Sequence, residues 1–186
     1  MELKEYLDCF ENKLQQELLR LCTNYKFLDG TLPATDDIDD YWLVIAPEYM
    51  VDAVEQVQDY PTVSVAWAAY LGMAVAYGWD IDWGAISKAK YKDFYGEQGF
   101  DDMDEHLIRD IMGIPLDSEE AKSIEGMIRR CGETTVDLIR RENIEPQSPT
   151  AFHVFTIATR VMYRTGAAIQ LKRMGYRFEK VNLGDC

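Results

Sequence analysis

Four carboxylates recur at steps of four, three and four residues along one stretch of the sequence. They are Glu48, Asp52, Glu55 and Asp59. This spacing predicts one shared helix face, because residues three and four apart are neighbours on a helix surface. The opposite side of the same helix carries Met50, Ala53, Val54 and Val57.

Three interpretations of this carboxylate row stay open. It can be a solvated outer face, since charge runs usually are. It can dock basic residues from the last helix or from another subunit. It can also contribute to a Mg²⁺ or Mn²⁺ site, because Mg²⁺ is commonly held by a few carboxylates together with substrate phosphates.

A basic group near the C-terminus repeats this helical spacing. His153, Arg160 and Arg164 share one side of the last predicted helix. An amphipathic helix with salt bridges explains them. An anion-binding or partner-binding face is the alternative, in which the guanidinium groups bind phosphate or carboxylate and His153 acts as an acid or base.

Two tryptophans and two acids stand together in Trp79-Asp80-Ile81-Asp82-Trp83. Indole rings beside carboxylates could form the base of a pocket for a cationic or sugar ligand. A corner between two helices explains the same residues without a ligand, with Asp80 or Asp82 as the helix cap and the indoles as apolar plugs.

A later set of acids resembles the all-helical nucleotide pyrophosphohydrolases. These residues are Glu119, Glu120, Glu125, Glu133 and Asp137. That family pairs an E-E-x-x-E run with a later E-x-x-x-D on a facing helix to hold Mg²⁺. Glu133-x-x-x-Asp137 fits the second half, as do the pairs 48/52 and 55/59, whereas Glu125 stands five residues after Glu120 instead of three. The resemblance implies a Mg²⁺-dependent phosphohydrolase with carboxylates on facing helices.

Charge is unevenly distributed along the chain. From Phe27 to Ser87 there is no Lys, Arg or His, whereas this stretch holds eleven acids and all four tryptophans. The chain as a whole carries a formal charge of −14. Such a charge disfavours phosphate backbones and anionic membrane surfaces, so we expect no nucleic-acid partner and no membrane partner.

Helical periodicity runs through almost the whole chain and predicts an all-α fold. We expect a compact bundle of about seven helices in a single domain, residues 1–186, with residues 176–186 as an extended C-terminal tail. The uncharged stretch 63–79 is rich in Ala and Gly and short for a bilayer, so it predicts a buried central helix. The predicted helices 2–28, 118–142 and 150–174 pack around it.

Small residues four apart predict a groove on that central helix that lets another helix come close. They are Ser64, Ala68, Gly72 and Ala76. Pro47 is expected to begin a new helix, and Ser148 as the cap with Pro149 at the first helical position is expected to begin the last helix, since proline suits that position. A further helix is expected at 83–95.

No motif in the sequence names an activity. There is no G-x-x-x-x-G-K-[ST], G-x-G-x-x-G, H-E-x-x-H or G-x-S-x-G pattern. The four cysteines show no C-x-x-C spacing, which favours thiols in a reducing cytoplasm and no structural metal. We therefore expect a cytoplasmic interaction or scaffold protein that self-associates and needs no cofactor. The alternatives are the Mg²⁺-dependent phosphohydrolase and a small-ligand protein with a Trp/Asp pocket.

Overall fold

The computed structural model describes residues 1–176, and the regular structure in this range is helical. The predicted tail lies outside the described residues, apart from Tyr176. Six α-helices follow one another in this part of the chain. They are α1 (Leu3–Asn24), α2 (Asp36–Gln56), α3 (Pro61–Ile86), α4 (Met103–Glu105), α5 (Glu119–Arg141) and α6 (Pro149–Arg173). A 3₁₀ turn spans Tyr91–Phe94, and α4 continues as a π-helical stretch, His106–Ile111.

Hydroxyl side chains begin three of these helices. Thr35 accepts a hydrogen bond from the amide of Ile38 and so caps α2. Ser118 caps α5, and Ser148 caps α6, where Pro149 follows as expected at the first helical position. Local sequence therefore defines where the long helices start.

Two expected boundaries are wrong. Pro47 lies inside α2 and does not begin a helix. Proline removes the hydrogen bond to the carbonyl four residues earlier, but Leu43 and Pro47 are both exposed, so that carbonyl lies on the solvent side. The expected helix at 83–95 is much shorter than predicted: the backbone leaves helical geometry at Asp82 (φ −159°, ψ 86°), but the turn that follows ends at Ile86, and Tyr91–Phe94 forms a 3₁₀ turn.

Helix α3 packs against α6 with direct backbone contact at two glycines. Every residue of α3 from 64 to 76 is buried except the partly buried Trp67. A methyl group built on Gly72 would overlap the backbone of Tyr163, and one on Gly166 would overlap the backbone of Ala69. Only glycine allows two helices to approach so closely at these points.

Tyrosine hydroxyls fix the orientation of α2. Tyr49 donates to the carbonyl of Ser64 at 2.8 Å and accepts from the amide of Ala68 at 3.0 Å, which joins α2 to α3. Tyr163 of α6 donates to the carbonyl of Ile38 at 2.7 Å. These bonds hold one face of α2 against α3 and α6, so the opposite face of α2 is exposed to solvent. None of the helices in residues 1–176 is long and apolar enough to cross a membrane.

Candidate functional site

The outer face of α2 exposes large apolar side chains. Leu43, Val44, Val51 and Val54 are between 48% and 69% exposed, and Pro47 is exposed among them. We call these five residues the α2 apolar stripe. The inner face of the helix is apolar too, with Trp42, Ile45, Tyr49, Met50 and Ala53 buried. The expectation that Val54 and Val57 share one side with Met50 and Ala53 is wrong, since both valines are exposed whereas Met50 and Ala53 are buried.

The carboxylate row lies beside this stripe. On α2, Glu48 and Glu55 are exposed and Asp52 is partly buried, whereas Asp59 is exposed in the turn after the helix ends at Gln56, so the expected helix face holds three of the four carboxylates. Positions 44, 48, 51 and 55 are spaced by four, three and four, so apolar and acidic residues alternate along one line of the helix surface. The result is a surface in which an apolar stripe has one acidic edge.

Asp52 differs from the rest of the row because two phenols bind it. Tyr91 donates to its Oδ2 at 2.7 Å and Tyr95 donates to the same atom at 2.5 Å. Burial first, and then the bond to Asp52, raises the pKa of Tyr95 to about 12. These bonds hold the segment after α3 against the outer edge of α2.

No salt bridge in the described part of the chain reaches the carboxylate row. This agrees with the absence of Lys, Arg and His from residues 27–87. The row therefore presents negative charge that residues 1–176 do not neutralise through an ion pair.

The two arginines of α6 are bound within the chain. Arg160 Nη2 lies 2.7 Å from Glu11 Oε2, and Arg164 Nη1 lies 3.2 Å from Glu11 Oε1. Arg164 also approaches Asp39 at 3.6 Å. Burial raises the pKa of Asp39, and Arg164 opposes that shift. These contacts join α1, α2 and α6.

His153 does not belong to this cluster. It is exposed near the start of α6, with its ring 6.3 Å from that of Phe152. At 1.5 Å per residue it lies roughly 10 Å along the helix from Arg160. The structure thus brings together two of the three residues that the sequence grouped.

The Trp/Asp segment forms a helix corner in which both tryptophans and both aspartates contact other residues, whereas Ile81 is exposed. Asp82 Oδ1 accepts from the amide of Ala85 at 3.2 Å and caps the last turn of α3. Asp80 accepts from the hydroxyl of Tyr176, whose ring packs against Trp79. The ring of Trp83 meets that of Tyr41 edge-on at 6.0 Å.

The acids of α5 lie on its surface. Glu133 and Asp137 are exposed, and Asp137 lies 3.9 Å from Arg140. Glu125 pairs with Arg129, and Glu120 with Arg173 of α6. Within residues 1–176, no three His, Cys, Asp or Glu side chains are arranged to hold a metal ion.

A cleft that the sequence did not reveal lies between α3, α4 and α5. Tyr70, Asp104 and Glu125 line two adjoining cavities there, of about 250 and 280 Å³. Burial raises the pKa of Asp104 to about 6, with a smaller contribution from the charges of Glu105 and Asp102. The residues of this cleft come from three distant segments and share no spacing, so no sequence signal could group them.

No protein-family model matches the chain, and no curated protein or solved structure was found to be similar to it. Its function must therefore be argued from its own geometry.

Proposed function

We propose that the protein is an interaction module that binds a helix of a partner protein through the outer face of α2. The exposure of the α2 apolar stripe is the observation that carries this proposal. Single exposed apolar residues are ordinary, whereas a contiguous set on one helix face is typical of a binding surface.

The stripe supplies enough apolar surface for a specific but moderate affinity. Fully burying a Val or Leu side chain contributes about 1.5–3 kcal/mol. Leu43, Val44, Val51 and Val54 are already partly covered, so their burial contributes less than this each. Lost rigid-body freedom offsets part of the sum, so we expect binding of roughly micromolar strength.

The acidic edge defines the chemistry of the partner. An amphipathic helix that docks by its apolar side brings its flanking residues against Glu48 and Glu55. Lys or Arg at those flanks would neutralise the row, whereas acidic flanks would add repulsion. The partner that fits is therefore a basic amphipathic helix.

A second copy of this chain fits the same surface less well. In an antiparallel pair of α2 helices related by a two-fold axis, both carboxylate rows lie at the same edge. In a parallel pair, the acidic first turns meet, each with Asp36, Asp37 and Asp39. Arg160 and Arg164, which could have complemented the row, bind Glu11 and Asp39 instead. Self-association stays a prediction, which light scattering tests.

Two designed helical peptides test the proposal, identical in their leucine face and flanked either by lysine or by glutamate. We expect the full chain to bind the lysine peptide at least about tenfold more tightly in calorimetry. Leu43→Ser/Val51→Ser should weaken this binding by about tenfold or more and leave the thermal stability unchanged. Ile81→Ser, an equally exposed apolar residue at the α3 corner, is the matched control and should bind as the wild type does.

Equal affinity for both peptides, or full binding by the double variant, would refute the proposal. Light scattering on the same variants tests whether the α2 surface binds a partner helix or a second copy of this chain. A dimer that Leu43→Ser/Val51→Ser dissociates and Ile81→Ser does not would make the occupant a second copy.

The Mg²⁺-dependent phosphohydrolase and the Trp/Asp ligand pocket remain predictions from the sequence. No contact among residues 1–176 favours either of them. A Mg²⁺- or Mn²⁺-dependent rise in melting temperature that disappears in Glu133→Gln/Asp137→Asn would support the first. A change in tryptophan fluorescence on adding a metabolite would support the second.

A further inference from the structure

We propose that the cleft between α3, α4 and α5 binds a small organic dication bearing primary ammonium groups, of the diamine or polyamine class. The cleft consists of the two adjoining cavities, of about 250 and 280 Å³, that share Tyr70, Asp104 and Glu125. Their size is near the lower end of ligand pockets in proteins, which suits a small ligand.

Tyr70 provides the first indication of a ligand. It is only 3% exposed and lines both cavities. Its hydroxyl forms no hydrogen bond with the described residues and keeps some contact with solvent, so it is open to a ligand in the cleft. Burial, together with the negative charges of Asp104 and Glu125, raises the pKa of Tyr70, so the hydroxyl stays protonated and its oxygen can accept a hydrogen bond from a cation.

The charge of the lining indicates what that ligand carries. Four carboxylates line the cleft: Asp104, Glu105, Glu125 and Glu133. Of the lining residues, Arg129 is the basic one, and it lies 3.2 Å from Glu125. Asp104 is partly buried and forms no salt bridge in the part of the chain that the structure describes. Acceptors therefore exceed donors, and a ligand rich in N–H donors satisfies them.

The aromatic wall favours an organic cation. Trp67 lines the larger cavity, and its indole N–H already donates to the carbonyl of Phe100 at 2.8 Å. Its ring and that of Tyr70 meet at right angles, 5.6 Å apart. Because the indole N–H is engaged, Trp67 contributes its aromatic ring to the lining of the cavity, and aromatic rings attract alkylammonium groups.

The positions of the acids favour two positive charges. Glu105 lines the first cavity, Glu133 lines the second, and Asp104 lies at their junction. A chain with an ammonium group at each end can place one charge in each cavity. A metal ion fits less well, because no three metal ligands converge within residues 1–176.

Burial, and to a smaller extent the charges of Glu105 and Asp102, disfavour the ionised form of Asp104 and so cost folding stability, and such a cost is typical of functional sites. Asp104 faces Asp102 and Glu105 along its own segment, Glu125 and Arg129 of α5, and Tyr70 of α3. A bound ammonium group would offset this repulsion. The cleft shares no residue with the α2 surface, so this inference stands or falls separately from the proposed function.

Calorimetric titration of the full chain with 1,4-diaminobutane tests the inference, and n-butylamine is the singly charged comparison. We expect the diamine to bind at least about tenfold more tightly than the monoamine. Asp104→Asn should weaken diamine binding by about tenfold or more, and Tyr70→Phe, which keeps the ring and removes the hydroxyl, by about threefold or more. The control Glu119→Gln removes an exposed acid of α5 outside the cleft and should change the affinity by less than about twofold.

Absence of binding by both 1,4-diaminobutane and spermidine at millimolar concentration would overturn the inference. So would equal weakening by Asp104→Asn and Glu119→Gln, because that result would mean general attraction of a cation to an acidic protein. Circular dichroism of each variant distinguishes a lost ligand contact from a lost fold.

Discussion

Replacing Gly72 by alanine inserts a methyl group where α3 touches α6. An ideal Cβ at this position lies 2.9 Å from both the carbonyl carbon of Tyr163 and the amide nitrogen of Ala167. Carbon atoms in contact prefer about 3.5–4.0 Å. The carbonyl oxygen of Tyr163 is closer still, and all three atoms belong to the backbone, so no side chain can rotate away and the two helices must separate by at least roughly 1 Å.

The expected cost follows from two opposing effects. Overpacking a well-packed core costs about 1–3 kcal/mol, and a clash with backbone belongs at the upper end. Alanine in a helix interior regains about 0.5–1 kcal/mol relative to glycine. We expect Gly72→Ala to lower the free energy of unfolding by about 2 kcal/mol or more.

Gly126→Ala is the matched control in α5. A Cβ there would meet the end of the flexible Arg130 side chain at 3.2 Å. This variant should therefore be more stable than the wild type by about 0.5–1 kcal/mol. Urea unfolding followed by circular dichroism measures both variants, and the two should differ by about 3 kcal/mol, or roughly 6–12 °C in melting temperature.

Equal stability of Gly72→Ala and Gly126→Ala would refute the α3–α6 packing described here. Gly166→Ala enlarges the same gap from the other helix, since its Cβ would lie 2.6 Å from the carbonyl carbon of Ala69. Once the first methyl group has separated the helices, the second costs less. The double variant should therefore lose less stability than the sum of the single variants.

Three further predictions concern the charged groups. Asp104→Asn should stabilise the protein by about 1–2 kcal/mol at neutral pH, after allowance for solvent screening, because the pKa of Asp104 in the folded protein, about 6, exceeds that of an unfolded aspartate. This gain in stability should disappear as the pH falls below about 4. A gain that does not depend on pH in urea titrations would contradict this cause. Glu11→Gln should cost about 2 kcal/mol, because Arg160 loses its carboxylate partner and Arg164 keeps only Asp39. Glu17→Gln, in an exposed pair with Arg20, should cost less than about 0.5 kcal/mol, and equal losses in thermal unfolding would contradict the partly buried network around Glu11. Glu48→Lys/Glu55→Lys should reverse the preference of the α2 surface from lysine-flanked to glutamate-flanked peptides in calorimetry, and an unchanged preference would mean that the carboxylate row does not contact the partner.

Local chemistry made several features predictable. Ser148 and Pro149 indicated the start of α6, because capping depends on residues adjacent in sequence. The small-residue row through Gly72 indicated a close helix approach, since steps of four lie on one helix side. The position of Gly166 opposite it could not be foreseen, because the register of α6 against α3 depends on packing between helices far apart in the chain.

In the candidate sites, too, the groupings along one helix were predictable and the contacts between helices were not. Residues 48, 52 and 55 could be grouped because a helix repeats every three to four residues, whereas Asp59 lies beyond the end of α2 at Gln56. Arg160 and Arg164 were correctly placed together, but their partner Glu11 comes from the other end of the chain.

What the sequence by itself determined is the helical class, the start of α6 at Ser148 and the absence of local basic residues from the acidic stretch 27–87, because each depends on neighbours along the chain. Tertiary structure alone decided which apolar side of α2 is buried. Both sides of α2 carry large apolar residues, so the sequence pattern was ambiguous. The hydrogen bonds of Tyr49 and Tyr163 fix which side packs against α3 and α6. It also assembled Tyr70, Asp104 and Glu125 into one cleft, since three helices must pack before these residues meet.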